Sequence, residues 1–155
     1  MKGNDKILRS LNSLLADELS AVNQYMVHSE MCDNWGYAKL HEKIEKRAID
    51  EMKHAEKLIA RILFLEGAPN VSTLREIHIG KDVEIQLNND RRSEETAIGA
   101  YNAAIQEAQE LRDNGTRELL ESILKDEEAH IDWLEAQLDQ IKHLGIQIYL
   151  NEQVG

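Results

Sequence analysis

A glutamate followed 33 residues later by Glu-x-x-His occurs twice in this chain. The first copy is Glu18, Glu51 and His54; the second is Glu94, Glu127 and His130, each position displaced by 76 residues. The displacement reaches into the flanks: Asp17-Glu18-Leu19-Ser20-Ala21-Val22 aligns with Ser93-Glu94-Glu95-Thr96-Ala97-Ile98, and Tyr25 with Tyr101. One helical hairpin used twice gives such a pattern. Residues three apart share a helical face, so each Glu-x-x-His presents both groups together. Four carboxylates and two imidazoles at these spacings suit two divalent transition metals held between four helices.

Composition agrees with an all-α chain. One Pro, one Phe and no alternating apolar stretches leave little room for strands. At 155 residues the chain is long enough for one domain, residues 1–155, with a sizeable core. A net charge of −11 argues against a nucleic-acid phosphate backbone as partner and suits attraction of cations, or simply solubility. Cys32 is the only cysteine, so neither an internal disulfide nor a four-thiolate site can form. No apolar run has membrane-spanning length, and the start of the chain has no charged leader followed by an apolar run. We expect a cytoplasmic protein with no membrane partner.

Helical spacing and punctuation predict four long helices. The first starts after Asn4 or Asp5, runs to Trp35 and stops at Gly36; the second runs from near Tyr37 or Lys39 to Glu66, before Gly67 and Pro69. The third spans Val83 to Arg112 and stops at Asn114-Gly115. Thr116 is the expected N-cap of the fourth, which ends near His143. Ile146 to Glu152 forms a short fifth helix or a tail. Gly67 to Asp82 has no apolar period. Extended at about 3.3 Å per residue it reaches roughly 50 Å, against roughly 40 Å for a helix of the second segment's length. It can therefore cross the whole bundle and join two antiparallel hairpins.

The repeated glutamates lie on apolar faces. Glu18 shares its face with Leu11, Leu14, Leu15, Val22 and Tyr25; Glu51 and His54 share theirs with Ile44, Leu58 and Ile62; Glu127 and His130 share theirs with Leu120, Ile123, Leu124 and Leu134. Each glutamate falls about midway along its helix, which brings all of them to one height in the bundle. Buried carboxylates are strongly unfavourable unless protonated or metal-bound. The ligand set, with no thiolate, favours Fe or Mn over Cu or structural Zn. Glu18 with His54 and Glu94 with His130 would each hold one metal, with Glu51 and Glu127 as bridges. Tyr25 and Tyr101 could hydrogen-bond these ligands, donate an electron, or simply fill the core.

Longer matches identify a family. Asp17-Glu18-Leu19, Asn23-Gln24-Tyr25, Asn34-Trp35-Gly36, Asp50-Glu51-Met52-Lys53-His54-Ala55, Arg61-Ile62-Leu63-Phe64-Leu65-Glu66-Gly67 and Asp126-Glu127-Glu128-Ala129-His130-Ile131-Asp132-Trp133-Leu134-Glu135 resemble the bacterioferritins over essentially the whole chain. The resemblance implies a ferritin-like four-helix bundle with one long crossover and a short C-terminal fifth helix. It implies a ferroxidase that oxidises Fe(II) with O2 or H2O2 at an intra-subunit di-iron centre. That centre would use Glu18, Glu51, His54, Glu94, Glu127 and His130. It further implies iron storage and detoxification, with ferric mineral kept inside a shell of 24 identical subunits built from dimers. Haem b, one per subunit pair, would be ligated by Met52 from each subunit and lined by Leu19, Asn23 and Met26. A small ferredoxin would reduce the core through that haem.

Periodicity alone reads Met52 more plainly. It points away from Glu51, on a stripe with Ala48, Ile49, Ala55 and Ile59 that has no use in an isolated bundle and suits a subunit interface. One departure from the family is Lys46, where some members carry a histidine that forms an extra iron site with Asp50. His28, His41, His78 and His143 read as surface or structural residues, and Trp35 and Trp133 as core or interface anchors. Two other readings remain open: a di-iron or di-manganese oxidase or peroxidase acting on another substrate, and a haem-binding electron carrier with a vestigial metal site. The last leaves two complete ligand triads unexplained.

Overall fold

A computed structural model describes residues 1–155. Five helices follow in order: α1 Asp5–Asn34, α2 Ala38–Phe64, α3 Val83–Glu110, α4 Asn114–Leu144 and α5 Ile146–Asn151. α1 packs on α2 and α3 on α4 as antiparallel hairpins, α1 also packs along α3, and α2 and α4 touch little. The fold is all-α, two antiparallel hairpins joined by one long crossover, as the spacing predicts. No helix is long and apolar enough to cross a membrane.

The termini follow local chemistry. Asn4 accepts from the Lys6 amide at the start of α1, and Asp82 accepts from the Ile85 amide at the start of α3. The α3–α4 turn differs from expectation. Asn114 and Gly115 lie inside the first turn of α4 rather than stopping α3, and Asp113 is the N-cap, accepting from the Thr116 amide and hydroxyl at 3.0 and 2.7 Å. Arg61 of α2 donates to the same Asp113 at 2.9 Å, which fixes this cap to the neighbouring hairpin.

The crossover is pinned at several points. Arg75 donates to Asp17 at 2.8 Å and to Ser13, and the Arg75 amide donates to Ser20 Oγ at 2.7 Å. Further on, the His78 amide donates to Gln24 Oε1 and the Gly80 amide to His28 Nε2 at 3.0 Å. A backbone amide can only donate, so Nε2 accepts and Nδ1 carries the proton that faces Asp90 Oδ1 at 2.9 Å. His28, predicted as surface or structural, is thus wholly buried and tethers the crossover to α1 and α3.

The core is divided into two apolar clusters. One holds Leu11, Leu15, Leu58, Ile62, Leu120 and Ile123; the other holds Ile44, Leu87, Leu134 and Tyr149. Fully burying each such leucine or isoleucine contributes about 1.5–3 kcal/mol. Between the clusters lies a polar layer.

Candidate metal centre

That layer consists of the six repeated residues. Glu18, Glu51, His54, Glu94, Glu127 and His130 are all buried, none more than 7% exposed. α1 supplies Glu18, α2 Glu51 and His54, α3 Glu94, and α4 Glu127 and His130. They form two groups that share two members: Glu18, Glu51, His54 and Glu127 on one side, and Glu51, Glu94, Glu127 and His130 on the other. The shared members are the two glutamates of the Glu-x-x-His motifs.

The inward-facing atoms have no hydrogen-bond partners. Glu18 Oε2, Glu51 Oε1, His54 Nδ1, Glu94 Oε2, Glu127 Oε1 and His130 Nδ1 are buried and unsatisfied. Leaving so many buried polar atoms unpaired is costly in any fold. His54 Nδ1 nonetheless lies 2.9 Å from Glu127 Oε1, and His130 Nδ1 lies 3.0 Å from Glu51 Oε1. Two ligand atoms each about 2.1 Å from one ion, at right angles, would lie about 3.0 Å apart. These atoms approach as ligands around a common point. The buried Glu and His groups fit a dinuclear metal centre.

The outward-facing atoms, by contrast, are held. Tyr101 donates to Glu18 Oε1 at 2.5 Å and Tyr25 donates to Glu94 Oε1, so each tyrosine serves the glutamate of the other half. Burial first, then the negative charge of Glu94 or Glu18, pushes both hydroxyls well above their ordinary range, and they remain donors. Two carboxylates that sequence reasoning did not assign hold the imidazoles. Asp126 Oδ2 lies 2.9 Å from His54 Nε2, and Asp50 Oδ2 lies 3.4 Å from His130 Nε2. Such outer carboxylates fix the ring orientation and raise ligand basicity. The signal was available: Asp50 and Asp126 precede the motif glutamates and obey the same displacement.

Without a cation the cluster must hold protons. Burial pushes Glu51 well above the carboxylate range, with Glu18, Glu127 and Glu94 adding to it. Burial and then Glu94 push Glu127 up to about 9. Burial opposes the charge on His54, but Glu127, Glu18 and Asp126 together raise it to about 10. Burial works against Glu94 too, yet the neighbouring Glu127 and His130 side chains and the Tyr25 hydrogen bond hold it low.

A cleft of about 480 Å³ reaches this layer from between α1 and α3, beneath the crossover. Glu18, Glu51, Glu94 and Glu127 form its inner end, and Asp17, Arg75, Glu76 and Arg92 lie farther along it. On the outer faces of α1 and α2, Met26, Ile49 and Met52 are 48, 41 and 44% exposed. The stripe predicted around Met52 divides here, because Ala48 and Ala55 turn into the core.

The comparisons with known proteins agree with this geometry. Residues 8–144 match the model of the ferritin-like domain. A bacterioferritin of Mycolicibacterium paratuberculosis is 42% identical over 149 residues, covering 96% of this chain and 94% of that protein. One from Brucella melitensis is 41% identical, covering 96% and 92%. One from Rhodobacter capsulatus is 41% identical, covering 95% and 91%.

Proposed function

The chain belongs to the ferritin-like family, and within it to the bacterioferritins; we propose that it oxidises Fe(II) at a dinuclear site inside the bundle. The observation that carries this reading is the set of six buried, unpartnered ligand atoms facing one another across four helices. Glu18 and His54 would hold one iron, Glu94 and His130 the other, with Glu51 and Glu127 between them. Two ferrous ions held there would supply two electrons to O2 or H2O2.

The protein's own part is positioning. Tyr25 and Tyr101 occupy one oxygen of Glu94 and Glu18 and leave the other free to face the metal layer. Asp126 and Asp50 hold the far nitrogens of the two imidazoles, so the near nitrogens are turned inward toward the metal layer. Apolar clusters at both ends of the layer exclude water along the bundle and leave approach from its sides, where the cleft between α1 and α3 reaches all four glutamates. Glu51, Glu127 and His54, which burial and their neighbours hold protonated, would release those protons on holding a cation.

The wider reading follows the family. Copies of the chain would assemble from dimers into a 24-subunit cytoplasmic shell that stores ferric mineral. The exposed Met52, Ile49 and Met26 face fits an interfacial haem, with Met52 of each subunit as the ligand. Haem, when bound, would carry electrons from a small ferredoxin to the stored iron. Adding Fe(II) in air to the metal-free protein tests the enzymatic reading. Wild type should oxidise iron far faster than Glu127→Ala or His130→Ala, and equal rates would overturn the assignment. Met52→Leu should abolish the native haem spectrum.

A further inference from the structure

A second cleft, of about 340 Å³, opens between α2 and α4, where those two helices diverge. It lies on the other side of the metal layer from the carboxylate-lined cleft, and its wall includes His130 and Asp126. Its character is opposite. Lys43, Lys46 and Arg47, three cations of α2, line it together with Trp133 of α4.

Arg47 is the telling residue. It is only 6% exposed, and its guanidinium has a single hydrogen bond, NH1 to the His130 carbonyl at 3.4 Å. Each carboxylate in the cleft has a partner of its own: Asp50 pairs with Lys46, itself a cation of the cleft, at 3.2 Å and lies near His130, and Asp126 pairs with His54. Arg47 pairs with neither. Four of its five donors have no protein acceptor and are not sealed inside the protein, so the guanidinium edge opens onto the cleft, where an acceptor can reach it. Trp133 lies beside two of the cations, with Arg47 Cζ 5.6 Å and Lys43 Nζ 5.7 Å from its ring centre. A ring face accepts no directed hydrogen bond from the remaining guanidinium edge.

We propose that this cleft binds a small tetrahedral oxyanion, held by the Arg47 guanidinium and the Lys43 and Lys46 ammonium groups. A guanidinium fork matches two oxygens of such an ion, and two flexible lysines can reach the others. The net charge of −11 and the size of the cleft exclude a polyanion and leave a free ion, of which inorganic phosphate is the natural probe. The site stands without the ferroxidase reading, since none of its three cations is a candidate metal ligand. If that reading also holds, the anion sits beside the ligand imidazoles, on the side away from the carboxylate-lined cleft.

Equilibrium dialysis of inorganic phosphate against the assembled, metal-free protein is the test. Wild type should bind one phosphate per chain, displaced by sulfate. Arg47→Gln should weaken binding by about tenfold or more. Lys46→Ala, whose side chain is 70% exposed and cannot disturb folding, should weaken it severalfold. Lys142→Ala, which removes one exposed positive charge at the far end of α4, should change nothing, and Glu127→Ala should still bind. The proposal is overturned if wild type binds no phosphate at millimolar concentration. It is equally overturned if Lys46→Ala and Arg47→Gln bind like wild type, or if Lys142→Ala loses as much as Lys46→Ala.

Discussion

Tyr101 donates its hydroxyl to Glu18 across the bundle at 2.5 Å, and the displaced counterpart Tyr25 donates to Glu94. The halves are therefore interlocked, since each orients the terminal carboxylate of the other. Asp126 and His54 repeat the exchange on the imidazoles, as do Asp50 and His130.

The tyrosines should act on one metal each. A hydrogen bond to a charged group contributes about 1.5–3 kcal/mol, roughly tenfold or more in affinity. In a spectroscopic Co(II) titration, Tyr101→Phe should weaken the ion nearer Glu18 and His54, and Tyr25→Phe the ion nearer Glu94 and His130. A double variant that titrates like wild type would show that both hydroxyls merely fill the core.

The outer aspartates should matter almost as much as the ligands. Asp126→Ala leaves His54 Nε2 without its 2.9 Å partner and should lower metal affinity by about 10–100-fold. Asp50→Ala should do less, because its contact to His130 is 3.4 Å and Asp50 is shared with Lys46. Calorimetry with Zn(II) distinguishes the two, and equal losses would contradict the geometry.

Stability should depend on pH through the protons that the metal-free cluster holds. Burial and then Glu94 raise Glu127 from 4.5 to about 9, while Glu127 and Glu18 overcome burial to raise His54 from 6.5 to about 10. The folded chain binds more protons than the unfolded one in these windows, so stability falls as pH rises. Glu127 acts between about pH 4.5 and 9 and His54 between about pH 6.5 and 10. The melting temperature of the metal-free protein should therefore drop from pH 7 to 10. Zn(II) added at pH 7 should release protons and flatten the curve. A melting temperature that rises over this range would exclude the proton-filled cluster.

The crossover should tolerate no side chain at Gly80. A Cβ there would stand 2.4 Å from the Gln86 backbone nitrogen, which cannot swing aside as a side-chain tip can. Gly80→Ala should cost about 1–3 kcal/mol, read as a lowered melting temperature. An unchanged midpoint would mean that the Gly80–His28 tether is dispensable.

Much of this was legible in the sequence because it is written as period and displacement. The Glu and His positions, their burial beside Leu11, Ile62 and Leu120, and the long crossover all follow from spacing along one helix. Relations across helices were harder to read. Asp126 touches His54 because α2 and α4 face each other at a particular rotation, and the displacement alone hints at the pair without fixing it. His28 gave no sign of its partner, since Asp90 and Gly80 come to it from α3 and the crossover. Asp113, not Thr116, caps α4 because Arg61 of another hairpin anchors its carboxylate. Arg47 sits among charged neighbours, and only the gap between α2 and α4 leaves it without a carboxylate partner.

The central claim is that the six buried side chains together hold two ions. Anomalous scattering from crystals soaked in Mn(II) or Fe(II) tests it most directly. The account predicts two peaks roughly 3.5–4 Å apart, one between Glu18 and His54 and the other between Glu94 and His130, with Glu51 and Glu127 between them. A single peak, or peaks found only on surface acids such as Glu30 and Glu45, would contradict it.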